Sequence, residues 1–172
     1  MSDYEFTLTF SLPEAEGDPE QHLDALFEAG CDDALIGTGQ LGSIALDFVR
    51  DAKSASVAIE SAIKNVKAAI PDAELIEAKP DLVGLTDVAQ ILQCSRQNVR
   101  KYMKTYLDFP KPIHTGKVSL WHLLDLAMFH KFNVSESVIE LSKMTYKINL
   151  EIQQHHYRKM IENNTYEKKL VM

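Results

Sequence analysis

Residues 82–106, LVGLTDVAQILQCSRQNVRKYMKTY, carry the pattern that decides the fold of the second half of the chain. Thr86 is predicted to cap a first helix and Ser95 a second one, since their hydroxyls accept hydrogen bonds from amides at helix starts. Residues 93–95 interrupt an apolar pattern at helical spacing. The members of that pattern are Leu85, Val88, Ala89 and Leu92. The stretch therefore predicts two short helices joined by a tight turn, as in a helix-turn-helix.

The second predicted helix has an apolar side and a basic side. Val99, Met103 and Tyr106 are spaced to share the side that packs against a core. The opposite side is polar and mostly basic, and it consists of Gln97, Arg100, Lys101 and Lys104. Because the second helix of a helix-turn-helix enters the major groove, this basic side is predicted to contact DNA.

The same residues resemble those of the MerR-type and excisionase-type (AlpA-like) winged helix-turn-helix regulators. The residue types match at Ala89, Leu92, Ser95, Val99, Arg100 and Tyr102. Residues 109–126, FPKPIHTGKVSLWHLLDL, are similar to the excisionase-type wing, in which Phe-Pro leads into a basic hairpin, a Trp and another helix. The resemblance covers residues 82 to about 130. It implies a winged helix-turn-helix that binds double-stranded DNA.

The chain departs from that group in the turn, where Gln93 stands in place of the usual glycine. A left-handed backbone at Gln93 would cost on the order of 1 kcal/mol relative to glycine. Cys94 takes the place of a small hydrophobic residue, so we interpret it as a packed thiol without a redox role. Trp121 is interpreted as an anchor of the core.

The candidate DNA-binding residues lie on the second helix and on the predicted wing. Arginine can bind phosphate or guanine through two parallel hydrogen bonds, and lysine acts as a point charge. Gln97 and Asn98 are suited to adenine edges. The predicted set is Ser95, Arg96, Gln97, Asn98, Arg100, Lys101, Lys104, Lys111, His114, Thr115 and Lys117.

The charge of the chain is divided unevenly between its halves. The formal net charge is −7. Residues 1–80 contain five Lys and Arg against sixteen Asp and Glu, and residues 81–172 contain thirteen against nine. The first half is therefore at −11 and the second at +4, which indicates two domains with different partners. Pro80 marks a linker between them, since proline disfavours helix in the preceding residue.

The first half predicts a β-α-β-β-α-β order, which is the ferredoxin-like arrangement. Alternating apolar residues predict strands near 5–12, 34–37 and 44–49, and 73–78 supplies a last one. Helices are predicted from Pro19 to Gly30 and from Ser54 to Ile70. GTGQLG at 37–42 matches a dinucleotide-binding pattern, but strand-like alternation follows it, so a hairpin turn is predicted. An RNA-recognition motif is disfavoured because the third strand lacks the required aromatic and basic residues.

The C-terminal part predicts a long helix that begins after Asn133 or Ser135 and reaches about Asn163, with a capping box formed by Ser137 and Glu140. Its apolar seam is predicted to serve dimerisation through Val138, Leu141, Ile148 and Ile152. The same seam is equally consistent with a helix that packs onto its own chain. His155 and His156 point to different helix faces, so no metal site is predicted. Residues 166–172 are expected to fray.

Taken together, the sequence predicts an α+β protein with three parts: a domain at 1–79, a winged helix-turn-helix at 80–132 and a long helix at 133–172. Hydrophobic residues make up 45% and charged residues 25%, which is typical of globular proteins. There is no apolar run that could span a membrane, the first residues are acidic, and the two cysteines form no pattern, so we expect a cytoplasmic protein.

The functional hypothesis is a sequence-specific DNA-binding transcriptional regulator that acts as a homodimer. Its acidic N-terminal domain would be a sensor or a partner-binding module. The alternative is an antitoxin-like protein whose acidic domain neutralises a protein partner. Enzymatic activity, a metal and a cofactor are not predicted, because the sequence lacks a nucleophile elbow, a P-loop, a zinc signature and a carboxylate pair in the right context.

Overall fold

A computed structural model describes residues 1–162 as a mixed α+β protein. The elements of the first half are β1 (Ser2–Ser11), α1 (Leu23–Glu28), β2 (Ala34–Gly37), β3 (Ser43–Ala52), α2 (Ala55–Ala69) and β4 (Glu74–Lys79). The second half contains β5 (Leu82–Val83), α3 (Leu85–Ile91), α4 (Arg96–Thr105), β6 (Trp121–His122), α5 (Leu123–Ala127) and α6 (Glu136–Glu162). None of these helices is long and apolar enough to cross a membrane.

The first half forms a four-stranded antiparallel sheet in the order β2-β3-β1-β4. The even-numbered residues of β1 point to the core, and the pairing places Phe6 opposite Phe48 with their rings stacked. Leu26 of α1 and Ile59 of α2 belong to the same core, so both helices cover one face of the sheet. The alternation read in the sequence is confirmed. The opposite face is not covered by α1 and α2, and Leu35 and Val49 are exposed there.

Local signals in the first half act as the sequence predicts. Asp18 accepts a hydrogen bond from the amide of Glu20 at the start of a 3-10 turn, Pro19–His22, that leads into α1. Ser54 caps α2 in the same way by accepting from the amide of Val57. The glycine-rich stretch at 37–42 is the turn between β2 and β3, as expected for a hairpin.

The second half contains the predicted pair of short helices, α3 and α4, over a second core. Ser95 accepts a hydrogen bond from the amide of Asn98 at 3.0 Å, so it caps α4 as predicted. Thr86 does not cap α3. The helix begins at Leu85, so its cap position is Gly84, two residues before Thr86. The Asp87 carboxylate accepts a hydrogen bond from the Gly84 amide. A carboxylate in the first turn also complements the positive end of the helix.

One residue that was predicted to lie on the buried side of α4 is exposed. Val99 is buried and Tyr106 packs against the second core, but Met103 is 40% exposed. Tyr102 occupies the core in its stead, with its ring against Phe132 and Phe129. Val99 and Tyr102 are three residues apart, and Tyr102 and Tyr106 are four apart. Residues at these separations lie on the same side of a helix, so the three side chains face the core together.

The long helix α6 packs back onto its own chain, which corrects the predicted dimer seam. Leu141 and Ile148 are buried in the first core and Ile152 lies against it, while Val138 packs on the second core. The seam is therefore occupied within one chain and does not face a second copy. The long helix predicted from about residue 133 is present as α6, and residues 163–172 of the predicted third part lie outside the described residues. The predicted capping box is absent because α6 begins at Glu136, before Ser137, and the Ser135 hydroxyl accepts from the amide of Val138 instead.

A buried polar network joins the two halves to α6. Asn149 of α6 bonds both the amide and the carbonyl of Ala78, and its amide nitrogen also donates to Asp81. The Asp81 carboxylate, 4% exposed, lies 2.7 Å from Nδ1 of His122 in β6. Thr145 donates to the carbonyl of Pro80. The predicted linker is thus held on both sides by α6 and β6.

Candidate nucleic-acid interface

The apolar back of α4 fixes which side of the helix meets solvent. Val99 is 1% exposed, and the rings of Tyr102 and Tyr106 meet edge to face. Both tyrosines also pack near Phe129, so three positions of α4 are anchored to the second core. A helix held along one stripe presents its remaining side chains outward.

The outward side of α4 carries four cations, which we call the basic face: Arg96, Arg100, Lys101 and Lys104. All four are exposed, and within residues 1–162 none of them lies within 4.0 Å of a carboxylate. Gln97 is exposed beside them. Asn98 is half-buried, and its backbone amide donates to the Ser95 hydroxyl. The hydroxyl of Ser95 therefore already has a capping role. Met103, exposed among these cations, was not predicted there.

The predicted wing corresponds to a short loop at residues 113–120. The amide of Ile113 donates to the carbonyl of Leu120 at 2.8 Å, and His114 forms a bridge with Leu120. The predicted contact residues Lys111, His114, Thr115 and Lys117 are all exposed. The imidazole of His114 folds over Gly116, where any side chain would come within 2.9 Å of its nitrogen. A glycine at this position therefore lets the loop stay narrow.

The loop and α4 are anchored to one core. Trp121, 2% exposed, follows the loop, and its indole nitrogen donates to the carbonyl of Pro110. Phe109 packs edge to face against both Trp121 and Phe129. The interpretation of Trp121 as a core anchor is confirmed. The Lys111 and Lys117 ammonium groups lie within 4.0 Å of no carboxylate among the described residues.

Two of the acidic residues near these elements have partners within the chain, whereas Asp125 is exposed and lines a depression together with Lys111. Asp108 lies 3.5 Å from His130, and Asp87 accepts the hydrogen bond at the start of α3. A surface that keeps its cations free of intramolecular partners favours anions from outside, because phosphate groups then displace only water and small ions.

Lys131 is a cation near this surface that the sequence did not indicate. Its ammonium group lies 4.9 Å from the ring centre of Tyr106, which follows α4 directly. Lys131 is separated from α4 by many residues, so no spacing rule could connect them. Only the packing of Tyr106 against Phe129 and His130 brings that segment of the chain to α4.

Cys94 in the turn between α3 and α4 is half-buried and packs against the second core, as expected for a packed thiol. Burial raises its pKa, so the thiol stays protonated and is a poor nucleophile. Gln93, the residue before it, has the left-handed backbone (φ 50°) that usually requires glycine. Among residues 1–162 no three His, Cys, Asp or Glu side chains cluster as a metal site requires.

Comparison with known proteins adds no further constraint. A scan against protein-family models, a search of curated proteins and a search of solved structures found no match to this chain.

Proposed function

We propose that this protein binds double-stranded DNA through the basic face of α4 and the loop 113–120, in the manner of a winged helix-turn-helix. The observation that carries the proposal is the set of six exposed cations without a carboxylate partner among the described residues: Arg96, Arg100, Lys101, Lys104, Lys111 and Lys117.

Two physical arguments favour duplex DNA over other anions. A rigid helix that displays arginines and a glutamine fits the width of the major groove and the bidentate pattern of base edges. Lys117 in the loop and Lys111 just before it suit backbone phosphates, which supply most of the affinity through counterion release. Regulation of transcription is the role we propose for such binding.

The N-terminal half is proposed to be a ferredoxin-like domain, because its strand order and its antiparallel pairing agree with the split βαβ arrangement. We propose that it acts as the sensor or partner-binding module of the regulator. A homodimer would place two basic faces on successive half-sites. The contact between copies would then use a surface other than the four seam residues, since these pack within the chain.

A second candidate function is neutralisation of a basic protein partner by the N-terminal domain. The uncovered face of the sheet favours it, since the exposed residues there include Asp3, Glu5, Asp47 and Asp51. Asp3 stands directly opposite Asp51, and like charges in facing positions repel. Purification from the native host tests this function, which requires a basic protein in a fixed ratio to this chain.

Selection of bound duplexes from a random pool tests the DNA proposal. The full chain is expected to enrich one short sequence pattern at moderate salt, because base edges are read by α4. A palindrome would in addition support the homodimer. The absence of any enriched pattern, with equal retention of all duplexes, would contradict sequence-specific binding.

A further inference from the structure

A cleft of about 350 Å³ lies where the sheet, the linker, α3 and α6 meet. It is lined by Asp3 and Glu5 of β1 on one side, and by Gln90 and Gln93 around the end of α3 on the other. Small-molecule sites usually occupy about 300–1,000 Å³ and often lie between domains. The cleft thus has the size and the position of a site for a small ligand.

Four exposed polar side chains of the cleft have no partner among the described residues of the chain. Within residues 1–162, the side chains of Asp3, Glu5, Gln90 and Gln93 have no hydrogen bond or ion pair. Two carboxylates therefore face two primary amides across a space whose lining contains no cation. Such a set accepts hydrogen bonds from a cation and offers further donors and acceptors for orientation.

The charges around the cleft add to this preference. The Tyr4 hydroxyl donates to the Glu140 carboxylate at 2.9 Å, and burial, followed by that carboxylate, raises the pKa of Tyr4. Tyr4 therefore stays neutral. Lys79 lines an adjoining depression of about 310 Å³, where it pairs with Glu77 at 3.4 Å. The cation of this adjoining depression is thus already partnered.

The remaining lining is apolar. Ile91 is half-buried at the end of α3, Leu141 is 5% exposed, and Pro80 and Val138 complete this side. Removal of apolar surface from water stabilises a bound molecule by roughly 25 cal/mol per Å². A bare metal ion would gain nothing from this side, whereas an organic body would.

Gln93 has the left-handed backbone that the turn between α3 and α4 requires, at a position where glycine would be less strained. Its φ of 50° lies in the region where glycine is favoured, and the glutamine costs on the order of 1 kcal/mol there. Its side chain lines both this cleft and a neighbouring depression toward Asn133. An amide kept at a strained position beside a cavity points to use of the side chain itself.

We propose that this cleft binds a small organic cation, an amine on an alkyl or aryl body. Asp3 and Glu5 bind the ammonium group, Ile91 and Leu141 pack against the apolar body, and Gln93 contributes an amide hydrogen bond. The site goes beyond DNA binding and does not depend on it, since its residues are distinct from the basic face of α4.

Calorimetric titration of the full chain with phenethylamine tests the site, with phenethyl alcohol and phenylacetate as matched probes of the same body. The amine is expected to bind about tenfold or more tightly than the alcohol, because a charged hydrogen bond contributes about 1.5–3 kcal/mol. Phenylacetate is expected to show no binding. Equal binding of amine and alcohol, or no binding of the amine, would overturn the proposal.

Three variants localise the effect. Glu5→Gln is expected to weaken amine binding about tenfold, and Asp24→Asn, an exposed carboxylate on α1 outside the cleft, is expected to leave it unchanged. Gln93→Gly is expected to weaken amine binding while raising the midpoint of unfolding, a combination that a purely structural residue would not give. Identical amine affinities for Glu5→Gln and Asp24→Asn would overturn the site. These titrations contain no DNA, so their failure and that of the DNA proposal are distinguishable.

Discussion

At the scale of single residues, Arg50 shows how a charge is accommodated inside the sheet domain. Its guanidinium group donates to both carboxylate oxygens of Asp33, at 2.6 and 2.8 Å. The remaining donors reach Ser61, Asn65 and the carbonyl of Gly30, at distances between 2.9 and 3.0 Å. A buried ion pair is favourable only when its other hydrogen bonds are completed in this way.

Replacement of Arg50 by alanine is expected to lower the free energy of unfolding by about 3 kcal/mol, because it leaves Asp33 and the three neighbouring acceptors without their partner. Urea denaturation measures this change. Lys53→Ala, at an exposed position after β3, is the control and is expected to stay within about 0.5 kcal/mol of the wild type. Equal stability of the two variants would refute this role of Arg50.

The roles of single residues could be predicted from the sequence only where they depend on neighbouring residues in the chain. The cap at Ser95 follows from residue type next to a periodic segment. The partners of Arg50 do not, since the pairing depends on how β3 meets the segment between α1 and β2. For the same reason, the exposure of Met103 was decided by where the aromatic residues of the second core lie.

At the scale of elements, α6 was predicted in length but its packing partner was left open. An apolar stripe fits a second copy and its own domain equally well, because periodicity contains no information about the partner. The structure resolves the choice through Leu141 and Ile148 in the first core and through the bonds of Asn149 to Ala78.

The substitution Ile148→Ala tests this packing. It is expected to lower the free energy of unfolding by about 2–5 kcal/mol, as for other buried aliphatic residues. Because the contact lies within one chain, this loss of stability is expected to be the same at every protein concentration. Gln153→Ala, an exposed position on the same helix, is the control. A midpoint that rises with concentration in the wild type but not in Ile148→Ala would instead assign Ile148 to an interface between copies.

At the scale of the whole molecule, the charge asymmetry of the sequence corresponds to two separate cores. The acidic half is the sheet domain, and five of the thirteen Lys and Arg residues of the other half lie on α4 and the loop 113–120. Composition predicted this division and the polar pattern predicted which side of α4 is basic. The cleft was not predictable, because its lining comes from four elements distant in sequence.

The measurement that tests the central claim most directly is fluorescence anisotropy with the duplex recovered from selection. Arg100→Ala is expected to weaken binding about tenfold, since a bidentate arginine contact contributes about 1–3 kcal/mol. Lys64→Ala, which removes one exposed cation from α2, is expected to bind like the wild type. If Arg100→Ala and the wild type bind the duplex equally well, the basic face of α4 is not the DNA-binding surface.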